Sequence, residues 1–350
     1  MIESKPRLCF IGPNLGVHRG WVTTQGELQA DLFESEGYPV LRTSSVIQPL
    51  LRFFDMAAFL VRRHKEIDIA LISTFSGRAF LFADALGRLC RQLKLPHVLV
   101  LHGGGLAAMA EARGGRMFEV LNRADACVAP SSFLARMASN VGCAAEVIPN
   151  VLGVGEYPFQ FRRELVEPVR LFWLRTFHPI YNPQMALETL SELRQRGVDA
   201  TLTMAGQEKG LESECRRLAD ELGLKDRVRF VGFLDMEGKR REMSSHDVYL
   251  HTNRVDNMPV TVVEAAAFGL PIIATRVGGV PDLLGDRGLL VASEDASGAA
   301  DAVQKLIAEP EEVARCSVAG RELAESCAWP EVQRAWDDLF SRVLAAEGRA

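Results

Sequence analysis

The chain has 350 residues, 48% of them apolar and 24% charged, with a formal net charge of −5. That length exceeds what one hydrophobic core usually organises, so two domains are the default expectation for a globular composition of this kind. The acidic balance argues against nucleic acid as the main partner.

Seven scattered cysteines form no Cys-x-x-Cys pair, which reads as reduced thiols of a cytoplasmic protein, packed as small core residues. No run of about 18 apolar residues offers a membrane-spanning helix, and no secretory leader pattern is expected ahead of the first strand. The charge is uneven along the chain. Residues 1–160 carry 16 Lys and Arg against 14 Asp and Glu, and the remainder 24 against 31. The relatively basic first half hints at contact with an anionic surface or acceptor.

In chain order, short β-rich runs alternate with helical stretches, the pattern of βαβ units around a parallel sheet. The first half is expected to hold strands at Arg7–Pro13, Ile67–Ser73, His97–Gly103, Ala126–Ser131 and Ala145–Asn150. Helices are expected at Thr24–Glu36, Gln48–Lys65, Arg78–Leu93, Arg113–Arg123 and Ser132–Asn140. A polar connection, Phe161–Pro168, precedes strands at Arg170–Arg175, Ala200–Gly206, Val228–Phe233, Asp247–Thr252, Pro271–Thr275 and Gly288–Val291. A last helix, Pro330–Leu344, follows the second sheet.

The fold class is therefore α/β, with two tandem doubly wound Rossmann-like domains, residues 1–160 and 161–329. Residues 330–350 are expected to return to the first domain. Ligands of such sheets sit at the carboxyl ends of the strands, so two facing sheets make a cleft.

The first strand–helix turn, GPNLGVHRGWVTTQGE, lacks Gly-x-Gly-x-x-Gly, which disfavours NAD. The stretch Ile47–Lys65 mixes large apolar residues with Arg52, Arg62, Arg63 and Lys65. It is read first as an ordinary domain helix buried on its apolar face, and second as a basic amphipathic helix lying on an anionic leaflet. His102 ends a strand and is followed by Gly103-Gly104-Gly105, where backbone can approach a ligand closely.

The richest segment is DNMPVTVVEAAAFGLPIIATRVGGVP, from Asp256 to Pro281. It reads as a loop, a helix whose first position is Pro259 with Asp256 or Asn257 as cap, a turn, a buried strand and a glycine turn. Glu264 on that helix can accept from adjacent ribose hydroxyls, and Asp256 can meet a second sugar. The bland alternative is that Asp256 only caps and Glu264 only faces solvent.

Asp256…Glu264, Gly269-Leu270-Pro271 and Val277-Gly278-Gly279-Val280-Pro281 together resemble the retaining nucleotide-sugar glycosyltransferases of family 4, which have the GT-B fold. Further matching segments are Met204-Ala205-Gly206, Arg229-Phe230-Val231-Gly232-Phe233 and Val147-Ile148-Pro149-Asn150. The resemblance covers nearly the whole chain and is densest from Leu171 to Val291.

It implies that Glu264 holds the donor ribose, and that Asp256, in place of the more usual Glu, contacts the transferred sugar. Backbone around Asn257, Met258 and Pro259 would bind pyrophosphate or sugar, and the loop after Gly232 would flank the nucleoside. Arg175 would offset the diphosphate charge. The lysine expected about five positions on is missing, since the segment reads TFHPIYNP with Ile180 or Tyr181 there. Lys209 is the candidate replacement, weighed against a solvated loop lysine. His102 would touch the transferred sugar, and Gly16 and Gly20 would let the first helix approach the donor phosphate or the acceptor.

No Asp-x-Asp occurs, in keeping with the metal independence the resemblance implies, and no cofactor is expected beyond the nucleotide sugar as co-substrate. The implied function is hexosyl transfer with retention from a UDP- or GDP-sugar to a glycan or lipid-linked acceptor, in polysaccharide or glycoconjugate biosynthesis. The expected location is the cytoplasm, peripherally on the inner face of the membrane through the first domain. The alternatives are a nucleotide-sugar epimerase of the same fold and a non-catalytic nucleotide-sugar-binding relative.

Overall fold

The computed structural model describes residues 5–18, 23–346 and 348. They form two compact units, Met1–Val151 with Trp329–Ala350, and Leu152–Ala328.

The first unit runs β1 (Leu8–Ile11), α1 (Gln25–Ser35), β2 (Val40–Thr43), α2 (Pro49–Arg63), β3 (Ile69–Thr74), α3 (Arg78–Gln92), β4 (His97–Leu101), α4 (Gly105–Leu121), β5 (Ala126–Ala129), α5 (Ser132–Asn140) and β6 (Glu146–Val147). Its strands order as β2-β1-β3-β4-β5-β6, all parallel. β1, β3 and β4 are buried almost throughout, as parallel strands covered on both faces must be. Thr24 opens α1 with a capping box, its hydroxyl accepting from the Glu27 N–H while Glu27 reaches back to the Thr24 N–H.

Two elements differ from the sequence expectation. The edge strand β2 is short and carries Arg42, so it lacked an apolar run to announce it. Helix α4 begins at Gly105, eight residues earlier than expected, and is kinked at Arg113. Its glycine-rich opening has poor helix propensity, and packing overrides it.

The second unit runs β7 (Val169–Leu174), α6 (Pro183–Gln195), β8 (Ala200–Ala205), α7 (Glu212–Glu221), β9 (Val228–Gly232), α8 (Met236–Ser245), β10 (Val248–His251), α9 (Val260–Ala267), β11 (Ile272–Thr275), α10 (Val280–Leu284), β12 (Leu289–Val291), α11 (Ala296–Ala308) and α12 (Pro310–Ser326). The sheet order is β12-β11-β10-β7-β8-β9, again all parallel. The chain starts in the middle at β7, builds outward to β9, then returns to the other side at β10. The strand order therefore reverses between β7 and β10, and the crevice outside their carboxyl ends is where such sheets bind ligands. One apolar cluster on each side of the sheet, around Trp173 and Phe172 respectively, makes the unit doubly wound.

The final helix, α13 (Trp329–Ala346), completes the first unit. Trp329, Trp336 and Phe340 pack with Phe33 and Tyr38, the Phe33 and Trp329 rings meeting edge-on at 4.8 Å. Burying each large side chain of this kind contributes about 1.5–3 kcal/mol, which ties the chain terminus to α1.

Candidate functional site

At the reversal point of the second sheet, Arg175 follows β7 and His251 ends β10. The Arg175 guanidinium donates to Asp256 Oδ2, and the two side chains are 17% and 13% exposed. Asn253 Nδ2 donates to the same oxygen at 2.6 Å, and the Asn257 N–H donates to Oδ1 at 2.8 Å. Burial opposes the Arg175 charge, but Asp256 and two nearby tyrosines, Tyr249 and Tyr181, outweigh it and hold the guanidinium more firmly protonated than usual.

The Tyr181 ring lies over the guanidinium, 4.4 Å from its carbon to the ring centroid. So the aromatic residue standing where a lysine is expected supports the one cation as a π-face, and adds no charge. Thr252 fixes that segment, its hydroxyl lying 3.0 Å from the Tyr181 carbonyl and 2.8 Å from that of Asn182. His251 lies beneath, with Nε2 3.6 Å from Asp256 Oδ2 and both ring nitrogens buried without a hydrogen-bond partner. Burial pushes its pKa down to about 3, Arg175 adding to the shift and Asp256 opposing it, so the ring is neutral.

The loop carrying Asp256 is held by the glycine pair. Gly278 has φ +51°, and a Cβ there would come 1.9 Å from the Asp256 carbonyl oxygen; at Gly279 it would come 2.2 Å from that of Asn257. The Gly279 N–H donates to the Asp256 carbonyl at 3.1 Å. The pair thus serves the loop itself. Helix α9 starts at Val260 with Pro259 as its cap residue and no side-chain cap. The expectation of Pro259 at the first helical position, capped by Asp256 or Asn257, is corrected by one residue. The physical reason is that the Asp256 carboxylate is already occupied by Arg175, Asn253 and Asn257.

Glu264 is buried on α9, its side chain 5% exposed. Tyr157 Oη donates to Oε1 at 3.0 Å and Lys239 Nζ donates to the same oxygen at 2.8 Å. Oε2 is buried with no partner. Burial and the adjacent Glu264 charge push the Tyr157 hydroxyl far above its usual range, so it remains a donor. The bland reading of Glu264 as a solvated helix residue does not hold.

Residues 159–323 match the family described as glycosyl transferases group 1, and residues 21–152 match glycosyltransferase family 4. The chain belongs to glycosyltransferase family 4. One relative, the GDP-mannose-dependent alpha-(1-6)-phosphatidylinositol monomannoside mannosyltransferase of Mycolicibacterium smegmatis, is 31% identical over 155 residues, 42% of this chain and 40% of that one. The chain spans less than half the length of the curated relatives it matches.

Among solved structures, Anabaena HepE in complex with UDP and glucose superposes with a TM-score of 0.73 at 16% identity, covering 96% of this chain and 99% of that one. Sucrose-phosphate synthase from Thermosynechococcus elongatus gives 0.76 at 18%, covering 98% and 100%. These identities carry the fold, which is GT-B.

The remaining anticipated positions of this family 4 chain fall as follows. Asn257, Met258 and Pro259 are buried in the loop before α9. Gly232 ends β9 with φ +69°, and its carbonyl accepts from the Gly206 N–H at 2.8 Å. Lys209 is exposed in the loop after β8. That loop lies beside the one carrying Arg175, through a bridge between Phe177 and Glu208.

In the first unit, His102 directly follows β4, half-buried and stacked on Phe75 at 5.2 Å. Burial lowers its pKa to about 4, so it too is neutral. The Gly16 N–H donates to Glu27 Oε1 at 2.8 Å, which ties the loop to α1. Gly20 lies outside the described residues.

Three partners went unread in the sequence: His251, Tyr157 and Lys239. His251 sits in an apolar strand run, Tyr157 lies 107 residues before Glu264 and Lys239 lies 25 before it. Lys239 opens a run of three cations, Lys239-Arg240-Arg241, which reads as a solvated helix face, so nothing local singled it out. Among the described residues, no group of His, Cys, Asp and Glu is arranged to hold a metal, and no helix is long and apolar enough to cross a membrane.

Helix α2 divides its apolar residues. Met56 and Leu60 are buried, whereas Leu50, Leu51 and Phe54 are 67%, 56% and 65% exposed. With Val61 they form a stripe at helical spacing, and Ile47 is exposed just ahead of the helix, so the reading of an ordinary helix with a buried apolar face describes only one side of it.

Proposed function

We propose that this chain transfers a hexosyl group, with retention, from a UDP- or GDP-sugar to a glycan or lipid-linked hydroxyl in polysaccharide or glycoconjugate biosynthesis. The observation that carries the reading is the Glu264 carboxylate, buried with Oε2 unpaired on the first helix after β10. A buried anion with an open acceptor asks for hydroxyl donors, which a ribose supplies. Arg175, at the carboxyl end of the neighbouring strand and also bearing a buried unpaired Nε, supplies a cation for the attached diphosphate. HepE holds UDP and glucose, and the mycobacterial relative is named for GDP-mannose, which supports a nucleotide-sugar donor of either base.

In this reading the bond from the anomeric carbon to the diphosphate breaks as the acceptor oxygen bonds on the same face. The acceptor proton passes to the leaving phosphate. Arg175 and the N-terminus of α9 meet the charge that develops there, and no metal is required. Asp256 already accepts from Arg175, Asn253 and Asn257, which suits a residue that orients the guanidinium and sugar and disfavours a covalent nucleophile.

Neutral His102 would hydrogen-bond a sugar hydroxyl. Lys209, exposed on the adjoining loop, would swing to the diphosphate as the second cation. The exposed stripe of α2 with Arg62 would rest on an anionic inner leaflet, bringing a lipid-linked acceptor near.

The test is a thermal-shift panel of UDP, GDP, ADP and their sugars, since a ligand stabilises by RT ln(1 + [L]/Kd), followed by donor-dependent release of free nucleotide. Release of UDP or GDP on acceptor addition supports transfer. Nucleotide that stays attached to an altered sugar would mark an epimerase, and saturation without turnover a binding protein; either outcome overturns the reading.

A further inference from the structure

The two oxygens of the Glu264 carboxylate are not equivalent. Oε1 accepts from Tyr157 Oη at 3.0 Å and from Lys239 Nζ at 2.8 Å, while Oε2 is buried and accepts from nothing. Each carboxylate oxygen offers about two acceptor positions. Oε1 is therefore filled, and both open positions lie on Oε2. An acceptor left buried and unpaired is destabilising, so the arrangement is complete only when a ligand donates to that one oxygen.

The two donors come from outside α9. Tyr157 belongs to the segment before β7, and Lys239 to the first turn of α8, which follows β9. Side chains from three parts of the unit thus agree on one carboxylate rotamer. Lys239 is 24% exposed against 5% for Glu264, so the ammonium sits nearer solvent than the group it neutralises. It is also the only cation bonded to that carboxylate among the described residues.

We infer that Lys239, together with Tyr157, is a positioning residue that makes the donor site select a ribose. It holds the Glu264 carboxylate turned so that Oε2 alone faces the vicinal 2′- and 3′-hydroxyls. This rests on the nucleotide-sugar reading above. Removing the ammonium leaves Oε1 with one neutral donor and the carboxylate free to turn, so that Oε2 no longer meets the ribose hydroxyls alone. A merely structural role for Lys239 would lower stability and leave the hydroxyl preference in place.

The experiment is calorimetric titration of the full chain with UDP, GDP and their 2′-deoxy counterparts. Wild type, Lys239→Met, Lys239→Arg and Tyr157→Phe are compared. Wild type is expected to prefer the ribonucleotide by about tenfold or more, the worth of a hydrogen bond to a charged group. Lys239→Met is expected to lose most of that preference, Lys239→Arg to restore it, and Tyr157→Phe to lose part of it.

A Lys239→Met protein with a native circular-dichroism spectrum and an unchanged ribose preference would overturn the inference alone. Wild type that binds none of the four nucleotides would overturn the nucleotide-sugar reading and this inference with it.

Discussion

Replacing Asp256 by Asn separates the two tasks that the Arg175–Asp256 pair performs. The side chains are 17% and 13% exposed, so the guanidinium has little water to replace a lost counter-charge. Breaking such a pair from one side costs about 3–5 kcal/mol because the remaining charge is left uncompensated. Asn keeps the shape and an acceptor for the Asn257 N–H, which puts the expected loss near the lower end, about 3 kcal/mol. For a unit of this size that is a drop in Tm of about 6–12 °C.

The sign reverses for ligand binding. A nucleotide diphosphate brings anionic oxygens to the same guanidinium, so it supplies the charge the variant lacks. Saturating UDP or GDP is therefore expected to raise the Tm of Asp256→Asn by more than that of wild type, narrowing the gap between them. On the proposed function turnover is expected to fall as well, because the carboxylate that orients the guanidinium is gone. The assay is differential scanning fluorimetry with and without each nucleotide, paired with nucleotide release. An unchanged Tm, or a gap that widens on nucleotide addition, would refute the reasoning.

Three further outcomes are expected. Gly279→Ala places a Cβ 2.2 Å from the Asn257 carbonyl oxygen, where only backbone can yield, so the Asp256 loop must shift; stability falls by about 1–3 kcal/mol and turnover by more than stability explains. Gly115→Ala, where a Cβ in α4 meets nothing within 4 Å, is the control, and a urea melt should find it neutral to stabilising.

His251 is neutral when folded, with its pKa pushed down to about 3 from an ordinary 6.5. The unfolded chain therefore binds the extra proton first, and stability is lost as pH falls from 6.5 towards 3. Thermal melts across that range should flatten in His251→Leu, and equal slopes in both proteins would count against the buried neutral ring. Finally, Leu50→Ser with Phe54→Ser should abolish pelleting with anionic vesicles while changing Tm by little, since these side chains are 67% and 65% exposed. Wild type that fails to pellet would remove the membrane role of α2.

The alternation of strands and helices was readable because each period is a local property of side-chain spacing. The helices that open with ordinary residues and the buried strands followed that pattern closely. The failures were local as well. β2 is a short edge strand interrupted by Arg42, and the opening of α4 is written in glycines, so neither carries the expected period.

The spacing of Asp256 and Glu264 was likewise legible, since a loop, a proline and one helical turn separate them. Tyr181, the apparent defect in the pattern, gained its meaning only from the stacking on Arg175. A motif scan counts charges and finds one missing. The geometry shows an aromatic face where a second cation would stand.

By itself, then, the sequence determined the α/β class, the family, and the two carboxylates with the arginine that belong to one segment each. The tertiary structure decided which oxygen of Glu264 is open, what neutralises it, and why Gly278 and Gly279 carry no side chain. The reason is physical. Periodicity and short motifs are properties of neighbours along the chain, whereas saturation of a buried carboxylate depends on donors brought in by strand order. In this sheet the chain reverses between β7 and β10, and it is that reversal which sets Arg175, after β7, beside His251 and the Asp256 loop, after β10.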